Sequence, residues 1–197
     1  MLCLCKNLYK TQLYIKIIRE SSLAYYFKNL EYLYIHWPFC PYKCNFCDFV
    51  AIASHESFMQ QYHESLCKEI KDFKSDFDAQ GPLKTIYIGG GTPSTYPLPL
   101  LENMFSVLRE VVSFDENTEV TLEVNPGTVE EGAIELWKKI GINRLSIGVQ
   151  SLKDTVLQGL NRHQKKVDVI ELLGKTRSVF ENVSVDFIVG LPGVSSE

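Results

Sequence analysis

The amino-acid sequence predicts an α/β protein built around parallel strands. Five short runs rich in Val, Ile, Leu and Tyr have the length and composition of strands, and amphipathic helical patterns separate them. Strands that alternate with helical crossovers form parallel sheets. The predicted strands cover residues 32–36, 84–88, 119–124, 143–149 and 183–189.

Four helical patterns accompany these strands. The second covers residues 99–112 and the fourth covers residues 167–180. The third begins at Thr128, because Thr128 and Glu131 have the spacing of a capping box, and it ends before Gly141. In the first pattern, apolar side chains at helical spacing form one face, and they are Phe58, Tyr62, Leu66, Ile70, Phe73 and Phe77.

Length and charge suit one domain that does not bind nucleic acid. The chain has 197 residues, 45% of them hydrophobic, and a net charge of −4. Residues 1–30 hold five basic side chains and one acidic one, so their charge of +4 leaves −8 for the remainder. An acidic body without a basic stripe does not favour nucleic-acid binding.

We divide the chain into an N-terminal extension, residues 1–30, and a core domain, residues 31–197. The extension lacks clean periodicity, and either a short helix or an over-long start assignment accounts for it. No stretch has the length of a membrane span, and the start lacks the apolar core of a signal peptide. We therefore expect a cytoplasmic protein.

Three cysteines directly after the first strand have the spacing of an iron–sulfur site. Cys40, Cys44 and Cys47 form a C-x₃-C-x₂-C loop. Three thiolates on a [4Fe-4S] cluster leave one iron open, which a cluster needs in order to bind a substrate. Disulfides are disfavoured because three clustered cysteines cannot all pair. A structural zinc ion is the alternative, and its fourth ligand would be His36, Asp48 or His55.

Polar residues occur at the predicted carboxyl ends of the strands, where barrels of parallel strands place their chemistry. Residues 89–93 read GGGTP, and such glycines let a backbone approach a ligand without an intervening Cβ, although a plain tight turn explains them equally well. Glu123 offers an anion to a ligand, or it is an ordinary exposed carboxylate at a strand end. Gln150 and Asp186 complete the series.

The cysteine loop also carries a family resemblance. Phe46 precedes the third cysteine, and residues 34–40 read YIHWPFC before CDF at residues 47–49. These strings resemble the radical S-adenosylmethionine (SAM) superfamily, in the branch that holds oxygen-independent coproporphyrinogen III oxidase and the haem chaperones called HemW. The resemblance runs from about Glu31 to the last residue. It implies a partial (β/α)6-type barrel with about five parallel strands, so we expect a truncated core domain.

The resemblance implies cofactors and partners as well. It implies a [4Fe-4S] cluster on the three cysteines, SAM chelated to the open iron, a haem or porphyrin ligand, and an electron donor of the flavodoxin or ferredoxin type. The further site residues that it implies are Tyr34, Phe46, Gly90, Gly91, Thr92, Glu123, Gln150, Arg162 and Asp186.

These residues have different roles by resemblance. The GGGTP loop and Glu123 would hold SAM at the cluster, while Gln150, Arg162 and Asp186 match positions that contact a second SAM. A buried salt bridge between Arg162 and Asp186 is an equally good interpretation of that pair. Tyr34 and Phe46 would pack near the sulfonium and adenine, with ordinary core packing as the alternative.

Phe49 separates two functional classes. Oxidases of this branch carry a further cysteine two places after the third one, where this chain has Phe49. HemW-type members share that difference, so the sequence favours a haem chaperone. Oxidative decarboxylation of coproporphyrinogen III is the alternative function, and an inactive gene fragment is the third interpretation.

Overall fold

The structure is a computed structural model that describes residues 31–73 and 81–191. Its main layer is a sheet of five parallel strands that lie side by side in chain order, and a separate pair of two-residue strands lies in the cysteine segment. The strands of the main sheet are Tyr32–Trp37 (β1), Thr85–Gly90 (β4), Glu119–Val124 (β5), Arg144–Gln150 (β6) and Asn182–Phe187 (β7); the short pair is Phe39–Cys40 (β2) and Ile52–Ala53 (β3).

Each crossover between neighbouring strands of the main sheet contains at least one helix. The helices of the described part are Met59–Phe73 (α1), Leu98–Arg109 (α2), Ala133–Lys139 (α3), Asp154–Gly159 (α4) and Lys166–Thr176 (α5). The prediction of an α/β fold with five parallel strands is confirmed. None of these helices is both long and apolar enough to cross a membrane.

The two faces of the main sheet differ in composition because side chains alternate along each strand. One face packs against the helices, and we call it the helix face. Its central side chains are completely buried aliphatic groups, namely Ile86, Ile88, Leu122, Leu145 and Ile147, each 0% exposed. The opposite face carries polar side chains instead, among them Tyr87, Glu123, Ser146, Ser184 and Asp186.

The predicted start of the third helix is wrong. Residues Pro126–Thr128 form a 3₁₀ turn, in which the Thr128 hydroxyl donates to the carbonyl oxygen of Asn125 at 2.9 Å. The helix begins only at Ala133, after Gly132 in a left-handed conformation with φ of 78°. The side chain of Thr128 therefore closes the turn and does not cap the helix.

Helices α4 and α5 also differ from prediction. Helix α4 was not predicted, because its six residues are too few to show a periodic pattern. Helix α5 ends at Thr176, short of residue 180. Phe77, predicted for the face of the first helix, and the N-terminal extension lie outside the described residues.

Candidate cluster and cofactor site

The carboxyl ends of the strands surround a cavity of about 380 Å³. The polar side of the main sheet faces it, so we call that side the cavity face. Every residue predicted for the site lines this cavity except Tyr34. The predicted residues that line it are Cys40, Cys44, Cys47, Phe46, Gly90, Gly91, Thr92, Glu123, Gln150, Arg162 and Asp186.

The three cysteines of the loop carry free thiols at this cavity. A tight turn joins two of them, since the Cys47 N–H donates to the Cys44 carbonyl at 3.2 Å. The hydroxyl of Thr92 donates to the sulfur of Cys40 at 3.3 Å. Burial raises the pKa of the Cys40 thiol, while the Thr92 hydroxyl acts in the opposite direction. A bound metal would favour the ionised form of this thiol.

Two of the three candidate fourth ligands for zinc, His36 and His55, make hydrogen bonds within the protein. His36 Nδ1 pairs with the Tyr34 hydroxyl at 3.0 Å and Nε2 with the Val50 carbonyl at 3.2 Å. His55 Nδ1 pairs with the Ala53 carbonyl. Across residues 31–73 and 81–191, no three His, Cys, Asp or Glu side chains converge on a single metal-ion position. The thiolates of a four-iron cube bind three different irons, so three thiols in one loop suit a cluster better than zinc.

The glycine loop is shaped by packing within the protein. A Cβ at Gly90 would lie 2.8 Å from the Trp37 carbonyl oxygen and 2.7 Å from the His36 ring, and φ at Gly90 is 122°. A Cβ at Gly91 would lie 2.7 Å from the Phe39 carbonyl oxygen. Close packing against the backbone of β1 and β2 therefore already requires glycine at both positions. Space for a ligand is not needed to explain them.

Thr92 is similarly occupied by the protein. Its side chain is 6% exposed, its hydroxyl bonds Cys40, and its N–H donates to the Phe39 carbonyl at 2.8 Å. Its carbonyl accepts the N–H and hydroxyl of Thr95. Thr92 therefore positions the cysteine loop. Its predicted contact with SAM would be made by its main-chain atoms.

Glu123 is held in place at the floor of the cavity. The Tyr87 hydroxyl donates to Oε1 at 2.8 Å, and the Gly90 N–H donates to Oε2 at 3.1 Å. Burial raises the pKa of Glu123 and the nearby Asp186 charge adds to this, whereas the two donors lower it. A cationic ligand would stabilise the charged form of this half-buried carboxylate. Glu123 therefore differs from an exposed carboxylate at a strand end, which water already stabilises.

The predicted salt bridge between Arg162 and Asp186 is wrong for the described structure. Arg162 Nη2 donates to the Gly148 carbonyl at 2.7 Å, and Nη1 lies 3.8 Å from the Cys44 sulfur. Asp186 accepts from the Ser146 hydroxyl at 2.9 Å and is exposed, since β7 lies at the edge of the described sheet. The pair is therefore neither buried together nor bonded.

Gln150 has unusual backbone geometry at the cavity. Its φ is 64°, in the left-handed region that L-residues rarely adopt, and it sits at an irregularity in the pairing of β6 with β7. Non-glycine residues in this conformation are concentrated at functional sites. This observation agrees with the predicted role of Gln150, which remains a prediction.

The two predicted aromatic residues are both outside the core. Phe46 is 36% exposed and lines the cavity, and Tyr34 is 55% exposed. Tyr34 stacks on Tyr87 with ring centroids 6.1 Å apart, and Tyr87 in turn bonds Glu123. Core packing therefore explains neither aromatic residue, and Tyr34 contacts the site through Tyr87, which bonds Glu123.

Sequence reasoning missed several hydrogen-bond partners of the site residues. Tyr87 orients Glu123, Ser146 bonds Asp186, and the amide of Asn125 donates to the Tyr42 hydroxyl at 3.0 Å. Tyr87 lies between Ile86 and Ile88, and Ser146 lies between Leu145 and Ile147, so each alternates with buried aliphatic residues. That polar alternation is the signal that marks the cavity face.

Comparison with known proteins agrees with this geometry. A family model described as the radical SAM superfamily matches residues 34–197. The heme chaperone HemW of Synechocystis is 35% identical over 81% of this chain and 40% of its own length. An oxygen-independent coproporphyrinogen III oxidase of Synechocystis is 32% identical over 87% of this chain and 37% of its own length.

A solved structure shows the same architecture. Coproporphyrinogen III oxidase (HemN) from Escherichia coli, a radical SAM enzyme, superposes with a TM-score of 0.82 at 29% identity, over 88% of this chain and 41% of its own. The chain thus spans about two fifths of the length of these relatives. The superfamily uses a [4Fe-4S] cluster and SAM as cofactors, which the free thiols and the anionic cavity floor suit. The chain belongs to the radical SAM superfamily.

Proposed function

We propose that this chain is a radical SAM protein of haem or porphyrin metabolism that resembles the HemW haem chaperones in function. The observation that supports this most directly is the shared cavity of about 380 Å³, which the three thiols, the glycine loop and Glu123 line together. Its residues satisfy the needs of a cluster and of a cationic ligand at the same place. Curated relatives from several bacteria carry the name of heme chaperone HemW.

Cys40, Cys44 and Cys47 would hold the [4Fe-4S] cluster, and Thr92 would orient Cys40 through its hydroxyl. When bound and reduced, the cluster would supply one electron to SAM. Glu123, fixed by Tyr87 and the Gly90 N–H, would hold the ammonium group or ribose hydroxyls of SAM. The surrounding loop would limit the access of water to the ligand.

The second group of cavity residues, Gln150, Arg162 and Asp186, would contact a second SAM or a porphyrin edge. The guanidinium of Arg162 lies between the Gly148 carbonyl and the Cys44 sulfur. It would therefore present positive charge beside the cluster, where ligand carboxylates arrive. A flavodoxin- or ferredoxin-type donor would supply the electron, and a reducing cytoplasm suits the free thiols.

Cluster binding is tested by anaerobic reconstitution followed by iron and sulfide analysis. The chain is expected to bind about four iron atoms, and Cys44→Ala is expected to reduce that content to background. Cys67→Ala is the matched control, because Cys67 is buried beside His63 on α1 and does not line the cavity. Equal iron content in Cys44→Ala and the unmodified chain would refute the proposal.

The alternative function is oxidative decarboxylation of coproporphyrinogen III, since one relative at 32% identity carries that name. Phe49 is 72% exposed and lines the cavity where oxidases have their additional cysteine. An aromatic ring cannot replace a thiol in ligation or proton transfer. Anaerobic turnover with reductant, SAM and coproporphyrinogen III, followed by chromatography, separates the two functions: protoporphyrin among the oxidised products would establish the oxidase.

Failure to bind SAM by an iron-loaded chain would support the inactive-fragment interpretation.

A further inference from the structure

The cysteine loop is attached to a segment more than a hundred positions away in the chain. The Asn45 N–H donates to the Leu160 carbonyl at 3.0 Å, and Asn45 Nδ2 donates to the Gly159 carbonyl at 3.1 Å. In return, Asn161 Nδ2 donates to the Lys43 carbonyl at 2.7 Å. These three hydrogen bonds join the end of α4 to the middle of the C-x₃-C-x₂-C loop.

The end of α4 is a Schellman motif with an asparagine in the left-handed position. The Arg162 N–H donates to the Leu157 carbonyl at 2.9 Å, the Asn161 N–H donates to the Gln158 carbonyl at 3.0 Å, and φ of Asn161 is 54°. Glycine is the usual residue at this position, because it adopts this φ without strain. The cap alone therefore does not require asparagine, and the side-chain amide has a separate role.

The carbonyl groups at the end of α4 accept the hydrogen bonds from Asn45. The last carbonyls of a helix lack partners within it and accept hydrogen bonds from whatever packs there. Asn45 supplies both a backbone and a side-chain donor to these carbonyls of α4. Next to them, the rings of Tyr42 and His163 stack with centroids 4.0 Å apart.

We propose that Asn45 and Asn161 form a clamp that positions the cysteine loop on α4 and thereby limits how fast the cluster is lost. The inference rests on the proposed binding of a cluster by the three cysteines. The clamped residues, Lys43 to Asn45, flank Cys44, so loosening them lets a thiolate leave its iron. The clamp acts through the loop backbone, so both asparagines are positioning residues.

The test compares Asn161→Gly and Asn45→Ala with the unmodified chain after anaerobic reconstitution. The measured quantity is the rate of absorbance loss near 400 nm in the presence of excess chelator. Each variant is expected to lose its cluster about two- to tenfold faster, the factor that one ordinary hydrogen bond contributes. Asn161→Gly is informative because glycine keeps the left-handed cap with less strain, which offsets the lost hydrogen bond to Lys43, so the melting temperature is expected to change little.

Asn143→Ala is the matched control. Asn143 makes two side-chain hydrogen bonds, to the Val120 N–H and the Thr118 carbonyl, and they lie at the start of β5 and not at the cysteine loop. It is expected to lower the melting temperature without changing the rate of cluster loss. A wild-type rate in both clamp variants would overturn the clamp, whereas an unmodified chain that binds no iron would overturn the proposed function instead.

A second measurement is independent of cluster loading. In the iron-free chain, hydrogen exchange of a peptide that covers residues 40–49 is expected to be faster in Asn161→Gly, because the loop is released from α4. A peptide from β5 is expected to exchange at the same rate in both proteins. Unchanged exchange in residues 40–49 would show that the loop is rigid without the clamp and would overturn the proposal.

Discussion

On the helix face of the main sheet, Leu122 and Ile147 are completely buried, whereas their neighbours in sequence, Glu123 and Ser146, lie on the cavity face and are hydrogen-bonded. The same two strands thus carry both the core and the site, separated only by the alternation of side chains. The comparison teaches that stability and ligand binding are encoded at adjacent positions, so a pair of neighbouring substitutions can separate them.

The largest effect is expected on the helix face. Leu122→Ala removes a fully buried side chain from the centre of β5, and we expect a loss of about 2–5 kcal/mol in the free energy of unfolding. Glu123→Gln is the matched neighbour. Because burial raises the pKa of Glu123, its charged form is disfavoured in the fold, and removing the charge is expected to leave stability at pH 7 unchanged or higher.

Urea unfolding of the iron-free chain, followed by circular dichroism, measures both variants. The two-face comparison would be broken by similar losses in Leu122→Ala and Glu123→Gln. Equal m-values in the two variants and the unmodified chain would sharpen the comparison, because all three proteins would then expose the same surface on unfolding.

The glycines of the site sharpen the comparison next. Gly90→Ala is expected to cost about 1–3 kcal/mol, because φ is 122° and the new Cβ would meet the Trp37 carbonyl oxygen at 2.8 Å. Gly132→Ala is the control, since its φ is 78° but nothing lies within 4 Å of its Cβ position, so it is expected to lose only about 1 kcal/mol.

Thermal unfolding of the two glycine variants measures the difference. A smaller loss in Gly90→Ala than in Gly132→Ala would mean that β1 yields to the new Cβ. It would also restore the simpler prediction that Gly90 lacks a side chain for the sake of the ligand.

The sequence predicted the strands of the main sheet well and the turns poorly. Strand runs such as 119–124 are set by alternation over six residues, which is a strong local signal, and β5 spans the same residues in the structure. The start of α3 depends on the competition between a Thr128 cap and the turn that Thr128 closes with Asn125, and both have the same local sequence. The tertiary fold decides such cases.

The site residues also divide into those that a local sequence pattern predicts and those that depend on the tertiary fold. The C-x₃-C-x₂-C spacing, the glycine loop and Glu123 were found from sequence because each lies at or just after the carboxyl end of a predicted strand. The interaction of Glu123 with Tyr87, and the separation of Arg162 from Asp186, depend on which strands are neighbours and on the sheet edge at β7. No local pattern contains that information.

Glu123 is expected to control SAM affinity. Glu123→Gln removes the anion opposite a cationic ligand, and we expect SAM binding to the iron-loaded chain to weaken by about 10- to 100-fold, the range for hydrogen bonds to charged groups. Since burial raises the pKa of Glu123 above its usual value of 4.5, affinity is expected to fall as pH decreases toward that pKa from above. Calorimetry across pH 5–8 measures this.

The variant supplies the control for the pH dependence. In Glu123→Gln the affinity is expected to be low and independent of pH over the same range. A pH dependence that persists in the variant would assign it to another group, and unchanged affinity at pH 7.5 would return Glu123 to the status of an ordinary strand-end carboxylate.

The smallest effect is expected at the edge of the cavity face, between Asp186 and Arg162. Asp186 is exposed and its bond is to the Ser146 hydroxyl, while Arg162 bonds the Gly148 carbonyl, so the two charges are not an ion pair. We expect Asp186→Asn to change the free energy of unfolding by less than about 0.5 kcal/mol. A double-mutant cycle with Arg162→Gln is expected to show coupling within about 0.5 kcal/mol, the range for independent sites. Breaking a buried pair would instead cost about 3–5 kcal/mol. Coupling of that size would show that the two residues pair in solution. The edge of the cavity face would then contribute to the free energy of unfolding, as the helix face does.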